Sequence, residues 1–392
     1  MARIVIHMPT LDARGGAERY AAELAAVLRD AGHAVAIGTV GEVDLRAVGV
    51  YFDLDLAGIE LIPLPRLTRL ERLRPRRRAW RLRDAVWAGR LRRWHPDILV
   101  NAVYRSELTL RGVPLVVVCH FPHIRPGFTG RGLCTRLRDL VAGAHASFPP
   151  RGSLVIANSS FTAEHARRRW GVDAHIVYPP CPEVAPVAGP RERMVLSVGR
   201  FTAPSPHIPN KRFDVLIEAF AQMTDLHAQG YRLRLVGSAG ENDGAYIATL
   251  RRRAVGLPVD FSVNAPFADL ADAYARAEVY WHAQGVGEDL DRHPEAHEHF
   301  GMTTVEAMSA GAVPVVIGVA GPREIVEPVD HRLLWLSPDE LSTATRWVIG
   351  LSEGESDALR AAARRRAQDF SRTAFRARVL EVLSPVTLRT RS

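Results

Sequence analysis

Cysteine is scarce in this chain. Only Cys119, Cys134 and Cys181 occur among 392 residues, and no two of them stand at the spacing of a metal-binding pair. Such usage predicts reduced thiols in a reducing compartment and excludes a disulfide framework. Long apolar runs are missing too: none reaches the roughly 18 residues that a membrane-spanning helix needs. The opening M-A-R-I-V-I-H-M-P-T is too short for a signal-peptide core and reads as a first strand. No G-x-G-x-x-G follows it, so the dinucleotide fingerprint is absent. Acidic residues are outnumbered, 43 against 51 Lys and Arg, which leaves a net charge of +8. That surplus favours anionic partners (nucleotides, lipid headgroups or nucleic acid) and does not choose among them.

What is present suffices for two or three domains, each with its own core. The 47% apolar content is ordinary for a soluble protein. Its Arg, Ala and Val usage resembles that of a GC-rich bacterial genome. Arg3 to Met8 is a continuous apolar run, as a strand buried on both faces requires. Gly15 and Gly16 then open an amphipathic helix, so strand, glycine turn and helix form a Rossmann-like first unit. Val35 to Val40, Asp97 to Ala102, Pro114 to Cys119 and Leu154 to Ala157 read as further buried strands.

The stretch from Leu67 to Pro96 is the most basic. Twelve arginines lie between Arg66 and Arg93, and Trp80, Trp87 and Trp94 are spaced seven apart. That spacing puts the three rings near one helical stripe. The stripe either packs on the sheet beneath solvated arginines or lies on an anionic membrane surface. No recognition motif accompanies the arginines, so nucleic acid is not expected as a partner. Pro75 should divide the run into two helices.

The strand ending at Cys119 leads into H-F-P-H. Ligands of open α/β sheets gather beyond the carboxyl ends of strands, so His120 is placed to face a cleft, with His123 behind it. The Pro-rich stretch after Cys181 is the best interdomain linker. Met194 to Val198 begins a second domain and ends in Gly199-Arg200. A Pro-rich loop follows and brings Lys211 to a helix start. Arg232 to Val236 ends at Gly237 in G-S-A-G, a floor for a nucleotide. Val259 to Val263 is another strand. A helical pattern from Ala362 to Leu383 follows, and the tail from Thr387 should fray.

The organising stretch is H-E-H-F-G-M-T-T-V-E-A-M-S-A-G-A-V-P-V-V, from His297. Phe300 and Gly301 make a tight entry; Thr303 and Thr304 suit an N-cap; Val305 to Ala310 form a short helix; Val313 to Ile317 is a buried strand. The helix start should offer backbone N–H groups to an anion. Glu298 precedes the turn and Glu306 lies on the helix. Nearby, Asp289-Leu290-Asp291 is formally a D-x-D, and His293, His297 and His299 look metal-like, but their loop spacing argues against a metal site.

The Glu298–Glu306 string resembles the E-x7-E signature of the retaining glycosyltransferases of family 4. The resemblance covers nearly the whole chain and is weakest from Gly41 to Pro96. It implies the GT-B fold: two Rossmann-like, doubly wound parallel-sheet α/β domains facing across a cleft. An acceptor-binding domain would span 1–184, with a helix at 371–385 crossing back to it, and a nucleotide-sugar domain 193–370. The family carries a similar G-G-x-E where Gly15, Gly16 and Glu18 stand, and a similar His where His120 stands.

The resemblance further implies that Arg200 and Lys211 bind the donor diphosphate. Glu306 would hold the ribose, and Glu298 would touch the sugar. His120, Glu298, Arg200 and Lys211 are therefore the expected catalytic set. Gly15, Gly16, Gly237, Phe300, Gly301, Met302, Thr303 and Glu306 join Arg200 and Lys211 around the donor. Neither glutamate is then a nucleophile, and neither a metal nor another cofactor is expected. Within the family the string is most similar to α-1,2-mannosyltransferases that extend a lipid-linked oligosaccharide and to their bacterial relatives, which points to GDP-mannose. A UDP-glucose or UDP-N-acetylglucosamine donor, a GT-B epimerase and a non-catalytic nucleotide-sugar binder remain alternatives. The acceptor would be a lipid-linked sugar, a polysaccharide precursor or a small molecule. The expected location is the cytoplasm, or the inner face of the membrane through the basic 66–93 region.

Overall fold

The computed structural model describes residues 1–13, 15–67, 76–104, 106–123, 148–186, 191–205 and 209–389. It divides into two compact units, Met1–Pro180 with Phe375–Ser392, and Cys181–Ala374.

The first unit is built on seven parallel strands: β1 (Arg3–His7), β2 (Ala34–Val40), β3 (Glu60–Leu64), β4 (Ile98–Asn101), β5 (Leu115–Cys119), β6 (Leu154–Ala157) and β7 (His175–Ile176). Their order is β3-β2-β1-β4-β5-β6-β7. Alternation along β1 shows why these runs carry no polar face. Ile4 and Ile6 join Leu24, Ile37, Val100 and Ile156 on one side. Val5 joins Ala36, Leu99, Val117, Trp87 and Leu91 on the other. Both faces are covered, as helical crossovers require. The C-terminal helix Arg372–Arg389 belongs to this unit. Its Phe375, Val379, Val382 and Leu383 complete the first core. Phe375 meets Tyr20 edge-on at 5.1 Å, and Arg378 donates to the Ile176 carbonyl at 3.1 Å.

Several expectations change here. Ala362 to Leu383 is not one helix; it is split into Glu353–Gln368 and Arg372–Arg389. The last helix runs on through Thr387 to Arg389, so the expected frayed tail is shorter. Pro75 lies outside the described residues, and a single helix, Arg76–Arg92, covers most of the basic stretch. Trp87 is buried on the sheet and donates to the Pro65 carbonyl at 3.1 Å. Trp94 lies beyond the helix end, donates to Glu60 and stacks with Arg3. Packing is thus what occupies these two rings; the side chain of Trp80 is outside the described residues. Cys119 and Cys181 are buried and form no disulfide, and burial pushes the Cys119 thiol up; Cys134 is outside the described residues. No helix among the described residues is long and apolar enough to cross a membrane.

The second unit carries six parallel strands: β8 (Glu192–Val198), β9 (Arg232–Gly237), β10 (Val259–Val263), β11 (Ala277–His282), β12 (Val313–Ile317) and β13 (Leu334–Trp335), in the order β10-β9-β8-β11-β12-β13. The chain leaves β8 toward β9 on one side and returns to β11 on the other. The carboxyl ends of β8 and β11 therefore flank a topological switch point, where α/β sheets open a crevice for ligands. In the first unit β1 and β4 play the same part.

Candidate functional site

Four segments meet at the switch point of the second unit. Gly199 and Arg200 follow β8, and Gly199 donates to the Val236 carbonyl of β9 at 3.0 Å. Gly237 ends β9, and a Cβ there would collide with the Gly199 carbonyl oxygen. A Cβ on Gly199 would in turn collide with the aliphatic stem of Lys211. Two glycines in register thus let two strand ends touch, and the groove so formed holds the lysine. The loop after β9 is tied down by Asn264, whose side chain accepts from Ala239 N at 2.8 Å.

Lys211 stands just before the helix Phe213–Ala221. Its Nζ lies 2.5 Å from Oε2 of Glu298, and each side chain is 19% exposed. His282, at the end of β11, places Nε2 3.5 Å from the same oxygen. The imidazole is 2% exposed, and burial lowers its pKa. It is therefore neutral at pH 7, and a carboxylate partner requires that Nε2 carry the proton. Burial alone would raise the pKa of Glu298. The Lys211 charge and the His282 bond outweigh it and hold the carboxyl well below the usual range. Glu298 is accordingly a fixed anion and not a proton donor. Arg200 is exposed, and no described residue is its hydrogen-bond or ion-pair partner.

The turn after Glu298 is shaped by close backbone approach. Gly321 donates to the Glu298 carbonyl at 3.0 Å, and a side chain on Gly321 would strike the backbone of Phe300. Gly301 has φ +115°, a left-handed value that favours glycine. The helix is Met302–Ser309, and Gly301 is its N-cap. Thr303 and Thr304 are therefore not caps, as the sequence suggested, but members of the first turn. The physical reason is that the positive-φ glycine starts the helix three residues early, at Met302 in place of Val305. Thr303 pairs with the buried Tyr280 hydroxyl at 2.8 Å, and Thr304 is buried. Glu306, one and a half turns along, accepts from the Tyr274 hydroxyl at 2.8 Å.

The metal-like residues do not converge. Asp289 accepts from Asp291 N and Arg292 N, closing its own loop. His293 sits beside Glu295, and His297 packs on Gly285. Among the described residues no three His, Cys, Asp or Glu side chains are grouped to hold a metal ion.

Gly15, Gly16 and His120 belong to the first unit, at its own strand ends. Gly15 caps the helix Gly16–Asp30, and Glu18 accepts from Gly15 N at 3.0 Å and from the Thr10 hydroxyl at 2.7 Å. His120 follows β5. Its Nε2 lies 3.1 Å from the Ala102 carbonyl after β4, and its ring meets Tyr20 edge-on at 5.9 Å. Burial lowers its pKa, while the Ala102 bond and the Glu18 charge partly oppose that. The rest of the H-F-P-H segment is pinned by the helix Ser160–Trp170: Arg169 donates to the Pro122 carbonyl and Trp170 to that of His123.

Sequence reasoning missed His282, Tyr274 and Tyr280. All three sit in apolar stretches that read as core, and only their contacts with Glu298, Glu306 and Thr303 distinguish them.

Residues 14–182 match the family model described as Glycosyltransferase Family 4, and residues 186–367 match Glycosyl transferases group 1. A GDP-Man:Man(3)GlcNAc(2)-PP-Dol alpha-1,2-mannosyltransferase of Xenopus laevis is 26% identical over 59% of this chain and 49% of its own. One of Yarrowia lipolytica is 30% identical over 45% of this chain and 29% of its own. The chain spans about half or less of the length of the curated relatives it matches. Among solved structures, HepE of Anabaena in complex with UDP and glucose superposes with a TM-score of 0.68 at 19% identity, covering 98% of this chain and all of that one. Sucrose-phosphate synthase of Thermosynechococcus elongatus gives 0.67 at 17% identity, over 99% of this chain and 100% of its own. Paired parallel sheets, the two adjoining family matches and these neighbours agree: the chain belongs to the family 4 glycosyltransferases and has the GT-B fold.

Proposed function

We propose that the protein transfers mannose from GDP-mannose to an acceptor hydroxyl with retention of the anomeric configuration. The reading is carried by one observation: the half-buried Lys211–Glu298 pair at the switch point, with the exposed Arg200 in the adjoining segment after β8. On this reading both cations bind the donor diphosphate while Glu306 meets its ribose. The Met302–Ser309 helix adds backbone N–H groups at its start. These groups stabilise the charge that grows on the departing nucleoside diphosphate, with no divalent ion assigned to that task. Glu298, held ionised, accepts hydrogen bonds from the sugar hydroxyls and is not the nucleophile. The departing phosphate oxygen takes the acceptor proton on the same face of the sugar. His120 sits at a strand end of the first unit, where burial lowers its pKa and keeps it neutral.

Mannose is supported by the names of the relatives at 26–30% identity. The acceptor is a hydroxyl of a sugar, lipid-linked or free. An open cavity of about 590 Å³ at the ends of β2 and β3, lined by Thr39, Glu42, Asp44 and Leu61, offers the first unit a place for such a polyol. Its carboxylates can accept hydrogen bonds from hydroxyl groups. Attachment to the inner membrane face would rest on the charge of the 66–93 region.

A thermal-shift screen of GDP, UDP, ADP and their sugar conjugates, without added metal, tests the donor. A ligand that binds only the folded state raises the melting temperature. Stabilisation by GDP and GDP-mannose, followed by an α-configured product by NMR, is expected. A response to UDP alone removes mannose, and a β-configured product removes retention. No response to any nucleotide removes the donor site itself.

A further inference from the structure

Beneath the helix Met302–Ser309 lies a feature that the transfer reaction does not by itself require. Tyr274 is 1% exposed, and its hydroxyl donates to Oε2 of Glu306 at 2.8 Å. Tyr274 stands near the end of the helix Phe267–Arg276. Its placement there is unusually well held. The Arg191 guanidinium donates to the carbonyls of Tyr274, Ala275, Ala277 and Ala310, joining the ends of both helices. The ring packs beside that of Tyr280 at 6.4 Å. Burial, and then the neighbouring Glu306 charge, push the Tyr274 phenol well above its ordinary value. At any physiological pH it is a donor, and a carboxylate can only accept.

We propose that Tyr274 is a positioning residue that presets the Glu306 carboxylate for the vicinal diol of a nucleotide ribose. The inference rests on the reading of Glu306 as the ribose contact and names what enforces it. A glutamate side chain has three torsions to fix, and fixing them on binding costs affinity. With Oε2 anchored from below, the carboxylate plane is set before the ligand arrives. A ribose that offers both hydroxyls then gains two charge-assisted bonds at little ordering cost. A deoxyribose gains one.

The experiment uses the full-length protein and calorimetric titration with GDP and 2′-deoxy-GDP, or the uridine pair if the donor screen selects it. Wild type should prefer the ribonucleotide. Tyr274→Phe should cut that preference by roughly three- to tenfold, the net worth of one hydrogen bond, chiefly by weakening the ribonucleotide. Tyr280→Phe deletes an equally buried hydroxyl that meets Thr303, and should leave the preference unchanged. If Tyr274→Phe does not fold, Tyr274→Leu takes its place. A wild-type preference retained in the hydroxyl-deleted variant overturns the role of Tyr274. If wild type and Glu306→Gln bind both nucleotides alike, the ribose reading of Glu306 falls, and the role of Tyr274 falls with it.

Discussion

Lys211 Nζ and Glu298 Oε2 are 2.5 Å apart, across 87 residues of sequence. The pair explains why each charge survives partial burial: either alone would carry a desolvation cost that the other offsets. If Lys211 binds the donor diphosphate as proposed, His282, 3.5 Å from the same carboxylate oxygen, would remain as the contact that keeps Glu298 in place.

Replacing Glu298 by Gln keeps size and removes the charge. Lys211 is left without its anion, so nucleotide diphosphate affinity should hold or rise. Turnover should fall by roughly 10²-fold or more, the scale of one preorganised electrostatic contact. Initial rates with the donor chosen by the thermal screen, together with calorimetric affinity, separate the two effects. Near-wild-type turnover would remove Glu298 from the chemistry.

Arg200 is exposed and unpartnered among the described residues, so its loss should cost the fold nothing measurable. Arg200→Ala should weaken nucleoside diphosphate binding by roughly tenfold, as loss of a charge-assisted bond predicts. The nucleoside monophosphate should be affected less. Equal affinity of wild type and variant for the diphosphate would place Arg200 outside the donor site.

His7 and Glu298 are two of the groups that shape the response to acid. His7, at the end of β1, has no exposed surface, and burial lowers its pKa to about 3 from 6.5. The unfolded chain protonates near pH 6.5, while the folded one resists. Its contribution is therefore full above pH 6.5 and is lost as pH falls toward 3, at up to about 1.4 kcal/mol per pH unit. Glu298 also has a lowered folded value, so its contribution is present above its unfolded pKa and fades below roughly pH 4.3. Urea melts of wild type and His7→Gln from pH 7 to 5 should show a shallower decline for the variant. Parallel declines would mean that His7 takes up its proton in the folded state.

Much of this was legible in the chain. Continuous apolar runs such as R-I-V-I-H marked the buried parallel strands, and the E-H-F-G-M-T-T-V-E string marked the turn. β3 escaped notice because Pro63 interrupts it; at a sheet edge a missing N–H is tolerated. The cap was misassigned because Thr303 and Thr304 are good caps by type, whereas the φ of Gly301 decides where the helix begins. The Lys211–Glu298 pair was not legible at all. Two charges in distant loops become partners only when β8 and β11 lie side by side, and no local pattern encodes that.

Gly199 and Gly237 make a final prediction with opposite signatures. At Gly237 an added methyl meets a backbone carbonyl, which cannot swing away, so the ends of β8 and β9 must part. Gly237→Ala should destabilise the second unit by about 1–3 kcal/mol or more, the cost of overpacking. At Gly199 the obstacle is the flexible stem of Lys211, which can move. Gly199→Ala should therefore lose less stability than Gly237→Ala, only the cost of parting the ammonium from Glu298, and turnover should drop by at least about tenfold, the loss of roughly 1.4 kcal/mol of transition-state stabilisation. Calorimetric melting and initial rates on both variants read the contrast. A stable, inactive Gly199→Ala beside an unstable Gly237→Ala would assign the groove to Lys211. An active Gly199→Ala would mean that the lysine can reach its ligand from elsewhere, and that the strand-end contact serves the fold alone.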